Sequence, residues 1–411
     1  MSTAPASMGF REVLGIQPVR RLWIAQIVSI FGDFLAIFAV FSVVTFKLHG
    51  TATQVSLILV AYLLPLAFIG PLAGVFVDRW DVKRTMIASD LIRAVLALLL
   101  VFVTDLKQIY LIFLALSAVS SFFIPAQAIT IRSLVPQPGL MSANALMFQA
   151  VQVMQIVSPF IAGALVAFLG ANSCFWIDTV SFLFSAGMVF TLAIEHKSSP
   201  APETAGQSKL RSLIASMLEG MKFILTHGAV SFVIISMTAG MFAIRCFGAL
   251  IAVYVRDVLS ASTVLFGALS SLVGVGMITG TQLINRFGRH RSKRHMVVAG
   301  LLGIGVAILE VAAFSSVITT VIGMLAVGFC VAFIIVPAQT LLQEETPKAM
   351  LGRVSSSMMS VLSIAQVLAM LMAGPVAQRV GIRALYFGSG VLLLIIAGVG
   401  YLRLRKPEVT A

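Results

Sequence analysis

Runs of about 20 apolar residues, separated by short polar loops, make up almost the whole chain. A run of that length allows a helix to cross the hydrocarbon core of a bilayer, about 30 Å thick. Hydrophobic residues account for 59% of the sequence, charged residues for 10%, and the mean hydropathy is +1.05, whereas a soluble domain has about 25% charged residues. Because lipid offers no partner to open backbone groups, each run must be helical. The sequence therefore predicts an all-α membrane protein.

Twelve such spans can be counted, six in each half of the chain. They cover residues 21–46, 53–77, 84–104, 108–132, 143–169, 173–194, 229–255, 263–285, 295–315, 319–343, 354–378 and 383–403. We predict five segments: an N-terminal tail (1–20), a six-helix bundle (21–194), a linker (195–228), a second six-helix bundle (229–403) and a C-terminal tail (404–411). Within the linker, apolar residues at helical spacing between Leu210 and Leu225 indicate a helix lying on the membrane surface.

The basic residues indicate how the chain is oriented. If both termini lie in the cytoplasm, 21 of the 28 Lys and Arg residues fall on the cytoplasmic side and 5 on the opposite side. An excess of Lys and Arg in short loops is typical of the cytoplasmic face. We therefore predict a multi-pass protein of the cell (inner or plasma) membrane with cytoplasmic termini, and we interpret the net charge of +13 as orientation, not nucleic-acid binding.

Several function classes lose support from the sequence. The three cysteines lie in apolar runs, and no His or Cys pattern has metal-ligand spacing. A Gly-rich loop ending in Lys-Ser/Thr, which would bind the phosphates of ATP, is not present. We expect no metal, no cofactor, no enzymatic activity and no cleaved signal peptide, since the tail Met1–Arg21 is polar.

A short loop pattern occurs twice. The stretch Gly74–Arg84 contains Asp78-Arg79, and 207 residues later Asn285-Arg286 follows a similar apolar stretch. A second repeated motif is Pro125-Ala126-Gln127, which recurs 212 residues later as Pro337-Ala338-Gln339. Two homologous halves around a central site are the usual construction of a membrane transporter.

The run Gly-x-x-x-Asp-Arg-x-x-x-Lys-Arg at Gly74–Arg84 resembles the loop signature of the major facilitator superfamily. The resemblance covers the whole chain and implies a fold of twelve transmembrane helices in two pseudo-symmetric six-helix halves. It also implies that Asp78 accepts hydrogen bonds from the start of span eleven, near Gly352, when the transport cavity faces outward. The implied conformational latch comprises Gly74, Asp78, Arg79, Lys83, Arg84, Asn285, Arg286 and Arg353.

Within that superfamily, the stretch Gly74–Leu91 and the segment Thr346–Arg353 are similar to the macrolide-efflux and enterobactin-exporter branch of drug:proton antiporters. The sequence departs from the family pattern in places. Asp81 stands where the signature usually has glycine, and the fourth span lacks the arginine that drug/proton antiporters usually carry. Motifs alone therefore do not assign proton coupling.

Two charges lie near the middle of apolar spans. Asp33 is in span one, and Arg245 is in span seven, 212 residues later, so the repeat places opposite charges at equivalent positions. A charge at the bilayer centre costs about 2.5–3.5 kcal/mol on insertion scales and therefore faces a cavity or a partner. Three roles are open for Asp33: a proton carrier, a site for a cationic substrate group, or a structural ion pair with Arg245.

Other polar side chains complete the candidate cavity. Gln26 and Ser29 share a helix face with Asp33, Gln152 belongs to a glutamine stripe on span five, and Asp178 lies in the outer half of span six. We interpret Asp90-x-x-Arg93 as a local helix pair near the inner surface. The predicted substrate and proton cavity comprises Asp33, Arg245, Gln26, Ser29, Gln152 and Asp178.

The sequence thus predicts a secondary transporter, specifically a proton-driven exporter of an amphipathic or hydrophobic small molecule, working by alternating access. A lysophospholipid transporter or flippase, or a nutrient importer of the same fold, are alternatives. The expected partners are the small-molecule substrate, protons and membrane lipids, but no nucleic acid, and we expect a monomer.

Overall fold

A computed structural model of the chain describes residues 8–193, 218–287, 291–347 and 350–405. Helices dominate: across these ranges there is no β-strand. Eleven of the described helical segments are long and apolar enough to cross a membrane. The first eight helices are α1 Phe10–Gly15, α2 Gln17–Ser42, α3 Ala52–Phe68, α4 Gly70–Val77, α5 Val82–Leu99, α6 Leu106–Leu134, α7 Leu140–Leu169 and α8 Ala171–Phe190.

After a linker, the helical pattern resumes. A helix that we call α9 is described over residues 218–226. The earlier part of the predicted surface helix, residues 210–217, lies outside the described residues. The remaining helices are α10 Gly228–Asp257, α11 Thr263–Phe287, α12 Lys293–Ala313, α13 Val317–Glu345, α14 Leu351–Val380 and α15 Ile382–Arg405.

Span two is not one helix but two, α3 and α4, with a break at Ile69. Pro71 has no backbone N–H, so the carbonyl of Ala67 loses its intrahelical partner. Helical hydrogen bonds continue on both sides of the break: the backbone N–H of Ile69 donates to the carbonyl of Pro65 over 2.7 Å, and that of Ala73 donates to the carbonyl of Ile69 over 2.7 Å. Because of this break, α3 has only 17 residues and is slightly too short to cross the membrane by itself. Together, α3 and α4 form the twelfth membrane-spanning segment.

The N-terminal tail also differs from the predicted polar segment. Residues 10–15 form α1, and α2 already begins at Gln17. Val13 is fully buried, and the carbonyl of Met8 accepts a hydrogen bond of 2.7 Å from the Ser142 hydroxyl. The tail therefore packs against the start of α7, because its sparse apolar side chains fall on one side of a short helix.

The helices form two compact units. Unit 1 comprises Met1–Leu48 and Ile58–Glu203, and unit 2 comprises His49–Leu57 and Thr204–Ala411. In unit 1, α8 packs along α2 and α5; in unit 2, α13 packs between α11 and α12, and α15 packs along α12. The first residues of α3 belong to unit 2, where Thr53 donates a 2.7 Å hydrogen bond to Gln378.

One turn of each unit shows the internal repeat in its backbone. Gly170 joins α7 to α8 with φ of +83°, and Gly381 joins α14 to α15 with φ of +89°. This left-handed conformation strains any residue with a Cβ, which explains glycine at both sites. The two glycines are 211 residues apart, close to the offsets of 207 and 212 residues between the repeated sequence motifs.

Candidate functional site

Three helices of unit 1 bring four charged side chains together inside the membrane-spanning region. Asp33 comes from the middle of α2, Asp90 and Arg93 from α5, and Asp178 from α8. Asp90 and Arg93 lie one turn apart and therefore share a helix face. Asp90 and Asp178 are buried, with 0% and 1% of their surfaces exposed, and Arg93 is 4% exposed. We call these four residues the acidic cluster.

Arg93 is the centre of the acidic cluster. Its Nη2 atom forms a short charged hydrogen bond to Asp90, and its Nη1 atom lies 3.9 Å from a carboxylate oxygen of Asp33. The guanidinium carbon also lies 4.3 Å from the ring centre of Phe123 and 4.4 Å from that of Phe182. A flat, delocalised cation stacks well on aromatic faces. The rings therefore fix the position of the guanidinium between the two carboxylates.

Asp178 joins the acidic cluster because α2 and α8 approach closely at Gly32. A Cβ on Gly32 would lie 2.7 Å from a carboxylate oxygen of Asp178 and 3.0 Å from its Cα. The Ser181 hydroxyl lies 3.5 Å from the same carboxylate and donates to the Asp178 carbonyl over 2.8 Å. Asp178 of α8 thus lies against Gly32, the residue before Asp33, and the two carboxylates are close enough for their charges to interact.

The three carboxylates differ in their access to solvent. The side chain of Asp33 is 29% exposed, whereas that of Asp90 is 0% exposed and Asp178 is 1% exposed. With every group ionised, the acidic cluster would hold three negative charges and one positive charge. Excess buried charge is costly unless it is neutralised. Asp33 is thus the carboxylate of this cluster best placed to exchange a proton with water.

We expect Gly32→Ala to disturb the acidic cluster. The added methyl group meets the backbone of Asp178, so α2 and α8 must separate, and overpacking of this kind typically costs about 1–3 kcal/mol. The measurement is unfolding of the purified variant in mixed micelles, beside Gly187→Ala on α8, where a Cβ meets no atom within 4 Å. Equal stability of the two variants would contradict the close approach of α2 and α8 at Gly32.

Arg245 has its polar partner inside unit 2. Its Nε atom donates a 2.7 Å hydrogen bond to the side-chain oxygen of Gln366 on α14. An ion pair with Arg245 was one of the three roles left open for Asp33; the cation described beside Asp33 is Arg93. A neutral amide leaves the positive charge of Arg245 uncompensated by this bond, so the guanidinium can still attract an anionic group.

The other predicted cavity residues lie on α2 and α7. Gln26 and Ser29 are buried, with 4% and 2% of their surfaces exposed, and the side-chain nitrogen of Gln26 has no hydrogen-bond partner among the described residues. Gln152 is half-buried on α7. The helical face that Gln26, Ser29 and Asp33 share along α2 thus leads from the inner part of the span to the acidic cluster.

Most residues of the predicted latch lie at or near helix ends. Asp78 follows α4, and the carboxylate of Asp81 accepts a 2.9 Å hydrogen bond from the backbone of Arg84 at the start of α5. Lys83 lies 5.4 Å from the ring centre of Phe190. Asp81, which departs from the family signature, is therefore a helix cap.

In unit 2, Arg353 lies in the first turn of α14 and pairs with Glu219 of α9 over 2.8 Å, and Arg286 lies over the ring of Phe287. Gly74 is half-buried within α4, and Asn285 is exposed near the end of α11. The latch contact between Asp78 and the start of α14 stays a prediction.

Sequence reasoning missed the role of Arg93. The spacing Asp90-x-x-Arg93 correctly indicated a helix pair, but it gave no sign that both side chains are buried or that Arg93 also reaches Asp33 on α2. The missed signal was the place of Arg93 within an 18-residue helix, directly before an apolar run over residues 94–99. Among the described residues, no group of His, Cys, Asp and Glu is placed to hold a metal ion.

Comparison with known proteins gives a consistent result. The family model described as Major Facilitator Superfamily matches residues 22–369 and 233–411. Macrolide efflux protein A of Streptococcus pyogenes is 26% identical over 92% of this chain and 93% of its own length. The multidrug efflux pump Tap of Mycolicibacterium fortuitum is 25% identical over 88% of this chain and 90% of its own length.

Solved structures share the fold at low sequence identity. The nucleoside transporter NupG superposes with a TM-score of 0.77 at 12% identity, covering 95% of this chain and all of its own. A bacterial homologue of the human lysosomal transporter Spinster gives a TM-score of 0.73 at 13% identity, over 95% of this chain and 97% of its own. These similarities confirm the predicted fold class of twelve helices in two six-helix halves.

Proposed function

Because the chain belongs to the major facilitator superfamily and is a membrane transporter, we propose that it is a proton-driven exporter of an amphipathic or hydrophobic small molecule. The observation that carries the coupling is the acidic cluster of unit 1, in which one arginine pairs with both Asp33 and Asp90, and Asp178 is buried beside α2. No ATP-binding loop is found in the sequence, so the proton gradient is the natural source of energy. Each proton crossing 100 mV supplies about 2.3 kcal/mol.

Asp33 is the proposed proton carrier. When Asp33 is ionised, Arg93 is shared between Asp33 and Asp90; when an oxygen of Asp33 takes up a proton, its attraction for the guanidinium falls and Arg93 is left to Asp90 alone. Protonation thus changes how firmly α2 is held to α5. Release of the same proton on the other side of the membrane restores the shared ion pair and completes the cycle.

The proposed substrate class rests on relatives and composition together. Macrolide efflux protein A and the multidrug efflux pump Tap align with nearly the whole chain. Nineteen methionines and 29 phenylalanines supply side chains that pack around varied apolar ligands. Gln26, Ser29 and Gln152 add hydrogen-bonding groups, and Arg245 adds a cation for an anionic substituent. We propose a drug, macrolide or siderophore type of compound.

We propose the cell membrane as the location, with both termini cytoplasmic, from the excess of basic residues on one side. A monomer contains both repeats and is the proposed functional form.

The loop Gly74–Arg84 is proposed to latch the inner side of the two halves in one conformation. Asp78 would accept hydrogen bonds from backbone N–H groups at the start of α14.

Transport by reconstituted protein tests the proposal. Purified protein in lipid vesicles with an acidic lumen should accumulate a radiolabelled macrolide, and a protonophore should abolish the accumulation. Protein-free vesicles with the same gradient are the control, because weak bases enter acidic lumens unaided. A thermal-shift panel of macrolides, siderophores and lysophospholipids selects the compound to label, since a ligand stabilises the folded state that binds it.

Two results would overturn the proposal. Accumulation that survives the protonophore would exclude proton coupling. If labelled lysophospholipid moved between leaflets regardless of the protonophore, and no macrolide was transported, the protein would be a lipid transporter and not a drug exporter.

A further inference from the structure

An apolar cavity of about 470 Å³ lies within unit 2, apart from the acidic cluster. Eleven side chains from α9, α10, α14 and α15 line it, and nine of them are apolar. The volume falls in the range of about 300–1,000 Å³ that is usual for ligand pockets. Since the cavity belongs to neither the acidic cluster nor the predicted cavity residues, the proposed transport chemistry does not account for it.

The walls of the cavity offer a ligand almost no hydrogen bonds. Ser231 donates its hydroxyl to the backbone carbonyl of Ile224. The Thr238 hydroxyl oxygen has no hydrogen-bond partner among the described residues, but it is buried below the surface that a ligand would touch. Cavities lined in this way stay free of water and take up apolar molecules. The chemistry of the walls therefore selects a hydrocarbon.

The depth of the cavity corresponds to one leaflet of a bilayer. Its lining runs along α10 from Ser231 to Phe242, a rise of about 16 Å at 1.5 Å per residue. Half of the hydrocarbon core is about 15 Å thick. With the basic loops on the inner side, the cavity reaches from the cytoplasmic interface to the middle of the membrane.

One end of the cavity is lined by Met221, Ile224 and Leu225 of α9. Ile224 is buried there, whereas Leu218 and Leu225 are 65% and 75% exposed, which is the pattern of a helix partly immersed in lipid. Lys222, next to the lining residue Met221, is exposed. An exposed lysine at an apolar interface attracts anionic headgroups. The neighbouring acid, Glu219, is already paired with Arg353.

We propose that this cavity is a binding site for one acyl chain of an anionic phospholipid from the inner leaflet, with the headgroup held near Lys222. The acyl chain lies along α10 between α14 and α15, and α9 covers the interface. The site would bind lipid whatever substrate the transporter moves, so its test is independent of the proposed function.

Native mass spectrometry of the purified protein tests the site. Protein equilibrated with equal amounts of phosphatidylglycerol and phosphatidylcholine should retain one phosphatidylglycerol in at least about fivefold preference. Ala239→Phe, which fills the cavity, should lose the bound lipid, and Lys222→Gln should lose the preference for the anionic headgroup. Val306→Phe adds the same ring to an exposed position of α12 and should behave as wild type.

A second measurement needs no variant. Phosphatidylglycerol with a photoreactive diazirine in the middle of its acyl chain should label α10 between Ile234 and Phe242 more strongly than any other described helix. Labelling spread evenly over the lipid-facing helices would overturn the proposal, as would equal lipid retention by folded Ala239→Phe and wild type. Displacement of the retained lipid by one equivalent of macrolide would reassign the cavity to substrate.

Discussion

We expect Asp33→Asn to abolish the proposed uphill export while exchange of substrate across the membrane continues. An amide cannot carry a proton, so the substrate gradient loses its link to the proton gradient. One proton crossing 100 mV supplies about 2.3 kcal/mol, which sustains a substrate gradient of about fiftyfold. We expect the variant to reduce accumulation in acid-lumen vesicles to the level of protein-free vesicles, while counterflow of labelled against unlabelled substrate retains a rate within about threefold of wild type.

Two matched variants separate coupling from folding. Asp33→Glu keeps a carboxyl group and should retain part of the gradient. Asp105→Asn makes the same carboxylate-to-amide change at the start of α6, where asparagine is also a good helix cap, and should transport as wild type. Full accumulation by a stable Asp33→Asn protein would exclude Asp33 as the proton carrier; loss of counterflow as well would indicate substrate binding or structure instead.

Arg93→Gln is expected to destabilise the folded protein by about 3–5 kcal/mol, the usual cost of removing one partner of a buried ion pair. Asp90 is fully buried, and Arg93 is the one cation paired with it among the described residues, so removal of the guanidinium leaves its charge uncompensated. Equilibrium unfolding in mixed micelles measures the effect. The loss should be smaller at pH 5 than at pH 8, because protonation of the abandoned carboxylates removes the uncompensated charge.

A set of further variants tests the reason for that loss. The double variant Arg93→Gln/Asp90→Asn should recover most of the stability, because it removes both charges of the tight pair. Arg93→Lys keeps the charge but not the flat group between Phe123 and Phe182, and should cost about 1 kcal/mol. Arg84→Gln, whose side chain is 89% exposed, should cost less than about 1 kcal/mol. If Arg93→Gln were as stable as wild type, the acidic cluster would not be ionised.

The family and the kind of fold were predictable from sequence because they depend on local rules. Twenty apolar residues must form a helix in lipid, and the loop Gly74–Arg84 is short enough to be recognised as a pattern. The family model confirms the superfamily, and efflux proteins among the relatives agree with the predicted branch. The break at Ile69 and the small helix α1 were not predicted, although Pro71 and Val13 carried weak signals of them.

The sequence by itself determined that the chain is a repeated, all-helical membrane transporter, and it identified Asp33 and Arg245 as charges in need of partners. Only the tertiary structure decided which partner each charge has: Arg93 for Asp33 and Gln366 for Arg245. The reason is physical. Spacing along one helix places residues on a common face, but contacts between helices depend on where backbones approach, as Gly32 allows at α8. That approach is a property of packed surfaces, and no single helix specifies it.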